Sequence, residues 1–299
     1  MTIHVVPTEF ATIQAAIDAA VAGDSIQILA GTFDGFNVTK ERLKIVGCGI
    51  GKTVIAGNPS PVSDNGIDLN ANQTILQGFT VQGFEDNGVE ILSGSNVLVN
   101  IETKFNKQQG IDLDQNFNLF TNCISSFNQF DGFNITSSNN CVIECSSFQN
   151  EGEGFFIGEP SNTIINNVAN ENFDEGINID CPMSKIFGNK SLKNIGNGIE
   201  VDEINNNIIS NLVCNNEANG IFIRSNENQN VIDSNIVRNN GTDDTTAGIL
   251  VDNGAMENVI RFNKAKNNIG VDILAEGGIG TNIYDGNKCE NSFPDGLCT

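Results

Sequence analysis

The chain has no tryptophan, one tyrosine and one histidine among its 299 residues. With His4 alone, and no Cys-x2-Cys pair, no zinc centre is expected. Basic residues are scarce as well: 15 Lys and Arg stand against 37 Asp and Glu, for a formal net charge of −22. No nucleic-acid partner is expected, because phosphates must be neutralised by cations. Adhesion to an anionic membrane is disfavoured for the same reason. The apolar runs fall far short of the roughly 20 residues that cross a bilayer, so no membrane insertion is expected. Met1 to Phe10 has neither a basic n-region nor an apolar h-region, and no signal peptide is expected in this chain. The eight cysteines are too sparse for a disulfide scaffold of this length.

What abounds is asparagine, with 47 residues. Asn is a poor helix and strand former. A folded chain this rich in it must use it repeatedly at one kind of position, which points to a repeat. Gly-aliphatic-x-aliphatic starts at Gly66, Gly88, Gly110, Gly132, Gly154, Gly176, Gly198, Gly220, Gly248 and Gly270, spaced by 22 residues except for 28 between Gly220 and Gly248. Repeats of this length mean solenoids, propellers or arrays. Each motif is a period-2 strand with both aliphatics on one face. A second apolar stretch, such as Val97-Leu98-Val99 or Ile208-Ile209, follows in each repeat. Asn106, Asn128, Asn150, Asn172, Asn194 and Asn216 form a fixed column.

No sustained 3.6-residue pattern occurs after Thr32, which excludes helical repeats, and propeller blades need about 40 residues. The period fits one coil of a parallel β-helix, with coils about 4.8 Å apart. Identical residues then stack. The Asn column reads as an amide ladder at a corner where Asn tolerates the left-handed region. Ten to twelve coils are expected, a rod about 50 Å long at that spacing.

On these repeats, and on the opening segment Phe10-Ala-Thr-Ile-Gln-Ala-Ala-Ile-Asp-Ala-Ala-Val-Ala-Gly-Asp, the sequence resembles the right-handed parallel β-helix proteins of the pectin-lyase-like superfamily. The resemblance implies an all-β solenoid whose open end is plugged by an N-terminal capping helix. Ile13, Ala16, Ile17, Ala20 and Val21 do fall on one helical face, with Gly23 as C-cap. The expected layout is one β-helix domain over 1–299, with a capping helix at 8–23, coils over 24–280 and a C-terminal cap at 281–299.

Between the paired aliphatics, the residue pointing outward reads Asp68, Glu90, Asp112, Asn134, Phe156, Asn178, Glu200, Phe222, Leu250, Asp272. Two residues on, the outward column reads Asp114, Thr136, Gly158, Asp180, Asp202, Arg224, Asp252. Stacked carboxylates repel unless a cation or a proton intervenes. Asp180, Glu200 and Asp202 therefore suit hard-oxygen ligation of Ca²⁺. Alternatively Asp180 and Asp202 form an acid/base pair, with Arg224 stabilising an oxyanion. Phe156, Asn178, Glu200 and Phe222 would bind substrate, the aromatic rings stacking on sugars. A plain charge ladder, with Arg224 neutralising Asp202 and Asp252, explains the same residues. The acidic column Asp131, Glu153, Glu175, with Asp174 beside it, reads as a solvated edge, with cation binding as the alternative.

Gly47 to Thr53 imitates a phosphate loop, but Val46 stands where the first Gly is needed, so it reads as a corner between coils. The six extra residues before Gly248 include Gly241 to Thr246 and read as a bulge beside the coil of Arg224. Cys123 and Cys145 share a column with Phe79 and Ile101 and read as buried thiols. Cys289 and Cys298 are able to pair in an oxidising environment, and Cys181 is expected at the surface.

Two functions stay open. One is a protein that binds or acts on a carbohydrate polymer around residues 156–224, as a Ca-assisted polysaccharide lyase or hydrolase. The other is a non-catalytic structural protein of a spore, envelope or virion, with self-association. Pectin and alginate enzymes of the superfamily commonly use several basic side chains or a His, and here Arg224 is the only cation on the two central columns.

Overall fold

The structure is a computed structural model and describes all 299 residues. It is a parallel β-solenoid of about 13 turns with one short helix. No helix is long and apolar enough to cross a membrane. The extra coils relative to expectation come from strands without the Gly-aliphatic signature, such as Ile3–Val6, Ser25–Ile28 and Ser292–Phe293.

The register is the sequence period. Ile111 pairs with Phe133, and Ile177 with Ile199, each 22 residues apart and parallel. The paired aliphatics point inward and are fully buried, as at Ile177, Ile179, Ile199 and Val201. The regular spacing of glycine follows from close approach: a Cβ on Gly88 would lie 2.6 Å from the Gly110 carbonyl oxygen. No side chain fits there.

The Asn column is a ladder of buried amides. Asn106 N and Nδ2 both donate to Asn128 Oδ1, at 3.1 and 2.9 Å. Asn194 does the same to Asn216 Oδ1, at 2.9 Å each. The rung is not the left-handed residue, contrary to expectation. That conformation falls one position earlier, at Phe105 (φ 57°), Phe127 (φ 56°) and Lys193 (φ 55°). The corner residue turns the chain, and the Asn behind it satisfies the backbone N–H groups the turn frees. Two more ladders exist, one through Asn96, Asn118 and Asn140 and one through Asn189, Asn211 and Asn235.

Contacts group the chain into two compact units, Met1–Glu151 and Gly152–Thr299. In the first, the helix covers only Ile13–Ala19, not 8–23, with Thr12 as N-cap and Ala20 as C-cap instead of Gly23. Ile13, Ala16, Ile17 and Ala20 are buried, but Val21 is 65% exposed because the helix has already ended. Ile3–Val6 precedes the helix and pairs with Ser25–Ile28. Thr53 is buried, accepts from Cys48 N and donates to the Leu29 carbonyl, so the phosphate-loop look-alike is a corner. Cys123 and Cys145 are buried thiols.

In the second unit the outward-facing strands are Phe155–Ile157, Ile177–Ile179, Ile199–Val201, Ile221–Ile223, Ala247–Val251, Val271–Ala275 and Ser292–Phe293. The six extra residues do not form one bulge. Asn207 pairs with Val231, two residues beyond the period, and only the remaining four lie near Gly241 to Thr246. The last repeat also departs from 22: Ile249 pairs with Ile273, a step of 24. Asp272 therefore leaves the outward column, and Gly270 leaves the glycine column. Asp272 is buried and ends the Asn ladder, accepting from Asn268 Nδ2 at 2.9 Å and Glu290 N at 2.8 Å. Residues 281–299 complete the last coils through Ile283–Asp285 and Ser292–Phe293, and are closed by the Cys289–Cys298 disulfide. Cys181 is buried, not exposed.

Candidate functional site

Strands Ile199–Val201 and Ile221–Ile223 lie side by side with Glu200 opposite Phe222. Glu200 faces outward yet is only 1% exposed, because Arg224 covers it. Arg224 Nε donates to Glu200 Oε1, and Asn197 Nδ2 donates to Oε2. The same Nε is 2.7 Å from Asp202 Oδ1. One N–H has one direction, and it points at Glu200. Asp202 Oδ1 thus feels the charge but is buried without a hydrogen bond. The guanidinium lies 5.9 Å from the Phe222 ring centroid, a cation–π distance. Arg224 itself is 55% exposed, and its Nη groups have no protein partner.

Protonation follows from this sharing. Burial, then the charge of Glu200, pushes Asp202 up to about 7, with Arg224 opposing. Glu175 is pushed to about 8 by burial and by Asp174 and Glu200. Burial disfavours the charged form of Arg224, but Glu200 and Asp202 outweigh it and hold the guanidinium charged. The face therefore holds carboxyl groups that are protonated near neutral pH beside a fixed cation, a combination suited to proton donation.

The structure brings together Glu200, Asp202, Arg224 and Phe222. Asp180 is exposed and acts on Asp202 only through its charge. Asn178 is half-buried and donates to Glu153 Oε1 at 3.0 Å. Phe156 and Phe222 are half-buried, not exposed. Asp252 is not a partner of Arg224; it interacts with Glu276, whose carboxyl it helps push up. The oxygens of Asp180, Glu200 and Asp202 do not converge as a metal set, since the guanidinium stands between the last two. The three carboxylates that do converge, within 4.8 Å, are Glu90, Asp112 and Asp114 in the first unit.

The acidic edge is not solvated at Glu175. Glu175 is half-buried, and its Oε1 accepts from Asn197 Nδ2 at 3.3 Å, which ties it to Glu200. A signal existed in the sequence. Asn-Gly-aliphatic-acid occurs at Asn65–Asp68, Asn87–Glu90 and Asn197–Glu200. The Asn amide reaches a carboxylate of its own or the next coil, as Asn65 Nδ2 does to Asp68 (2.9 Å) and Glu90 (2.6 Å).

Residues 65–203 match the family model for the right handed beta helix region. The chain is a right-handed parallel β-helix. The A-module of Azotobacter vinelandii mannuronan C-5 epimerase AlgE6 superposes on this β-helix with a TM-score of 0.75 and 16% identity, over 94% of this chain and 92% of that one. A PL6 family polysaccharide lyase from Pseudopedobacter saltans gives 0.63 and 16%, over 92% and 90%. Pectate lyase Pel9A gives 0.54 and 13%, over 98% and 78%. At these identities the likeness is one of fold. No curated relative matches the sequence at a significant level.

Proposed function

We propose that this β-helix binds and acts on a carbohydrate polymer along its outward face around residues 156–224, as a polysaccharide lyase or hydrolase. The observation that carries the reading is Arg224. Its Nε is fixed by buried Glu200, its Nη groups are open, and Asp202 and Glu175 beside it hold protons near neutrality. In this reading Asp202, with Glu175 behind it, donates the proton to the leaving oxygen. Asp180, exposed on the neighbouring coil, accepts the proton removed from the sugar or from water. The Nη groups bind the oxyanion or carboxylate that carries the developing charge. Phe222, Phe156 and Asn178 hold the sugar rings. The neighbours named as polysaccharide lyases and epimerases support the substrate class. Ca²⁺ is not needed between Glu200 and Asp202, where the guanidinium is the counter-ion. Its place in the proposal is at Glu90, Asp112 and Asp114.

The test is turnover of alginate, pectate and a neutral glucan, followed by new unsaturated or reducing ends. Asp202→Asn is expected to cut turnover by about 100-fold or more with the melting temperature unchanged or raised. The wild-type rate is expected to fall as pH rises through 7 to 8, where Asp202 and Glu175 lose their protons. Wild-type protein that neither binds nor turns over any of the three polymers would leave the non-catalytic structural role.

A further inference from the structure

The acidic chain keeps a cluster of its few cations together on a different face. Strands Leu212–Cys214, Ile236–Arg238 and Lys264–Lys266 lie in register, so that Arg238 sits directly beside Lys266, and Ile236 beside Lys264. Lys264 is bridged in turn to Lys288. In the column of Ile236, Leu212 sits next, and Lys190 after it. Arg238, Lys264, Lys288 and Lys190 are exposed and form no ion pair; Lys266 alone has an acid, Glu290, at 3.6 Å. Between them runs a groove of about 380 Å³ floored by Leu212 and Ile236 and walled by Arg238, Lys264 and Lys266.

Like charges directly opposite each other on adjacent strands destabilise a sheet. In a chain with 37 acids and 15 bases, this face had acids to spare for pairing and has only one. Two such contacts, Arg238 against Lys266 and Lys264 against Lys288, are a stability cost without a structural return. We propose that this strip is a binding site for a single strand of an acidic glycan, one carboxylate or sulfate per sugar, lying along the stacked coils. Arg238, the Lys264 and Lys266 pair, and Lys288 stand on three successive coils, about 4.8 Å apart, close to the advance of one sugar in an extended chain. The apolar floor of Leu212 and Ile236 suits the C–H face of a pyranose ring. Net charge selects this partner over broader polyanions. A thin strand meets the strip alone, and the remaining negative surface is screened beyond a Debye length of roughly 8 Å at physiological salt. A bilayer or a DNA duplex is wide enough to be held against that negative surface as well.

The site lies outside the face of Arg224 and does not depend on its chemistry. The experiment is titration calorimetry with oligogalacturonate and dextran sulfate, which separate carboxylate from sulfate, and with neutral dextran. Duplex DNA and phosphatidylserine vesicles are the competing arms. Wild type is expected to bind at least one acidic glycan, more weakly as salt rises, and to ignore dextran. Lys264→Ser with Lys266→Ser is expected to weaken binding at least tenfold and to leave or raise the melting temperature, because it removes repulsion. Lys185→Ser, an exposed lysine off the strip, is expected to bind as wild type. The proposal is overturned if no acidic glycan binds, if the double variant binds undiminished, if DNA or vesicles bind more tightly than the glycans, or if the only salt-sensitive event is self-association.

Discussion

Two stacks of carboxylates in this molecule solve the same problem differently. In Met1–Glu151, Asp68, Glu90 and Asp112 follow one another on adjacent coils with no cation among them. They are relieved by neutral donors: Ser60, Ser63 and Asn65 on Asp68, Asn65 on Glu90, Asn87 and Asn134 on Asp112. They are also relieved by protons, with burial and the neighbouring acids pushing Glu90 to about 7 and Asp112 to about 6. In Gly152–Thr299 a guanidinium is present, and yet Asp202 and Glu175 are raised as far. One Nε–H serves one carboxylate well. Glu200 takes it, and the acids around Glu200 then face an anion they cannot escape. A single cation thus creates asymmetry where neutral donors create sharing, and asymmetry is what separates acid from base.

The comparison assumes a common scaffold, and breaking the Asn ladder tests that first. Asn150→Leu and Asn194→Leu each remove buried amide bonds and strand polar neighbours. Each is expected to cost about 2–3 kcal/mol in urea unfolding. A clear inequality between them would show that the two stacks rest on unequal supports. Next, Arg224→Ala leaves Glu200 buried without its cation. Because Arg224 is more than half exposed, the loss is expected at about 1–2 kcal/mol rather than the full value of a buried pair. Adding Glu200→Gln should recover most of it, and failure to recover would show that Arg224 acts through packing on Phe222.

The first stack responds to pH in a defined sense. Folded Glu90 and Asp112 bind protons more tightly than in the unfolded chain. Their contribution is complete below about pH 4 and is lost as pH rises through 6 to 7. Glu90→Gln is therefore expected to stabilise by about 1 kcal/mol at pH 8, after allowance for solvent screening, and to change little at pH 4. Equal effects at both pH values would remove the repulsion argument. The smallest effect is that of calcium. At pH 8, millimolar Ca²⁺ is expected to raise the wild-type melting temperature by a few degrees, as binding to the folded state must. Asp112→Asn should abolish that rise and Asp202→Asn should not. The opposite pattern would place the ion on the Arg224 face.

The architecture was largely legible because a solenoid maps period onto position. A 22-residue translation puts Glu200 over Asn178, and Asn128 over Asn106, without any folding calculation. The reading failed where translation failed. Asp272 looked like an outward acid because Gly270 preserved the count, but the true step there is 24 and turns Asp272 inward. Helix 8–23 was too long because its apolar face continues into Val21 after Ala20 has already left helical geometry. Glu175 escapes the pattern because its column lies at a turn, and turn side chains have no fixed parity.

The sequence by itself determined the coil, the columns, the inward aliphatics and the Asn rungs, since each is a property repeated at every step and reinforced by its neighbours. Only the tertiary structure decided which outward carboxylate receives the one guanidinium, which acids stay protonated, and that Arg238, Lys264, Lys266 and Lys288 meet on one face. Those outcomes depend on the direction of single N–H bonds and on burial by side chains from other coils. Neither repeats, so neither leaves a period to read.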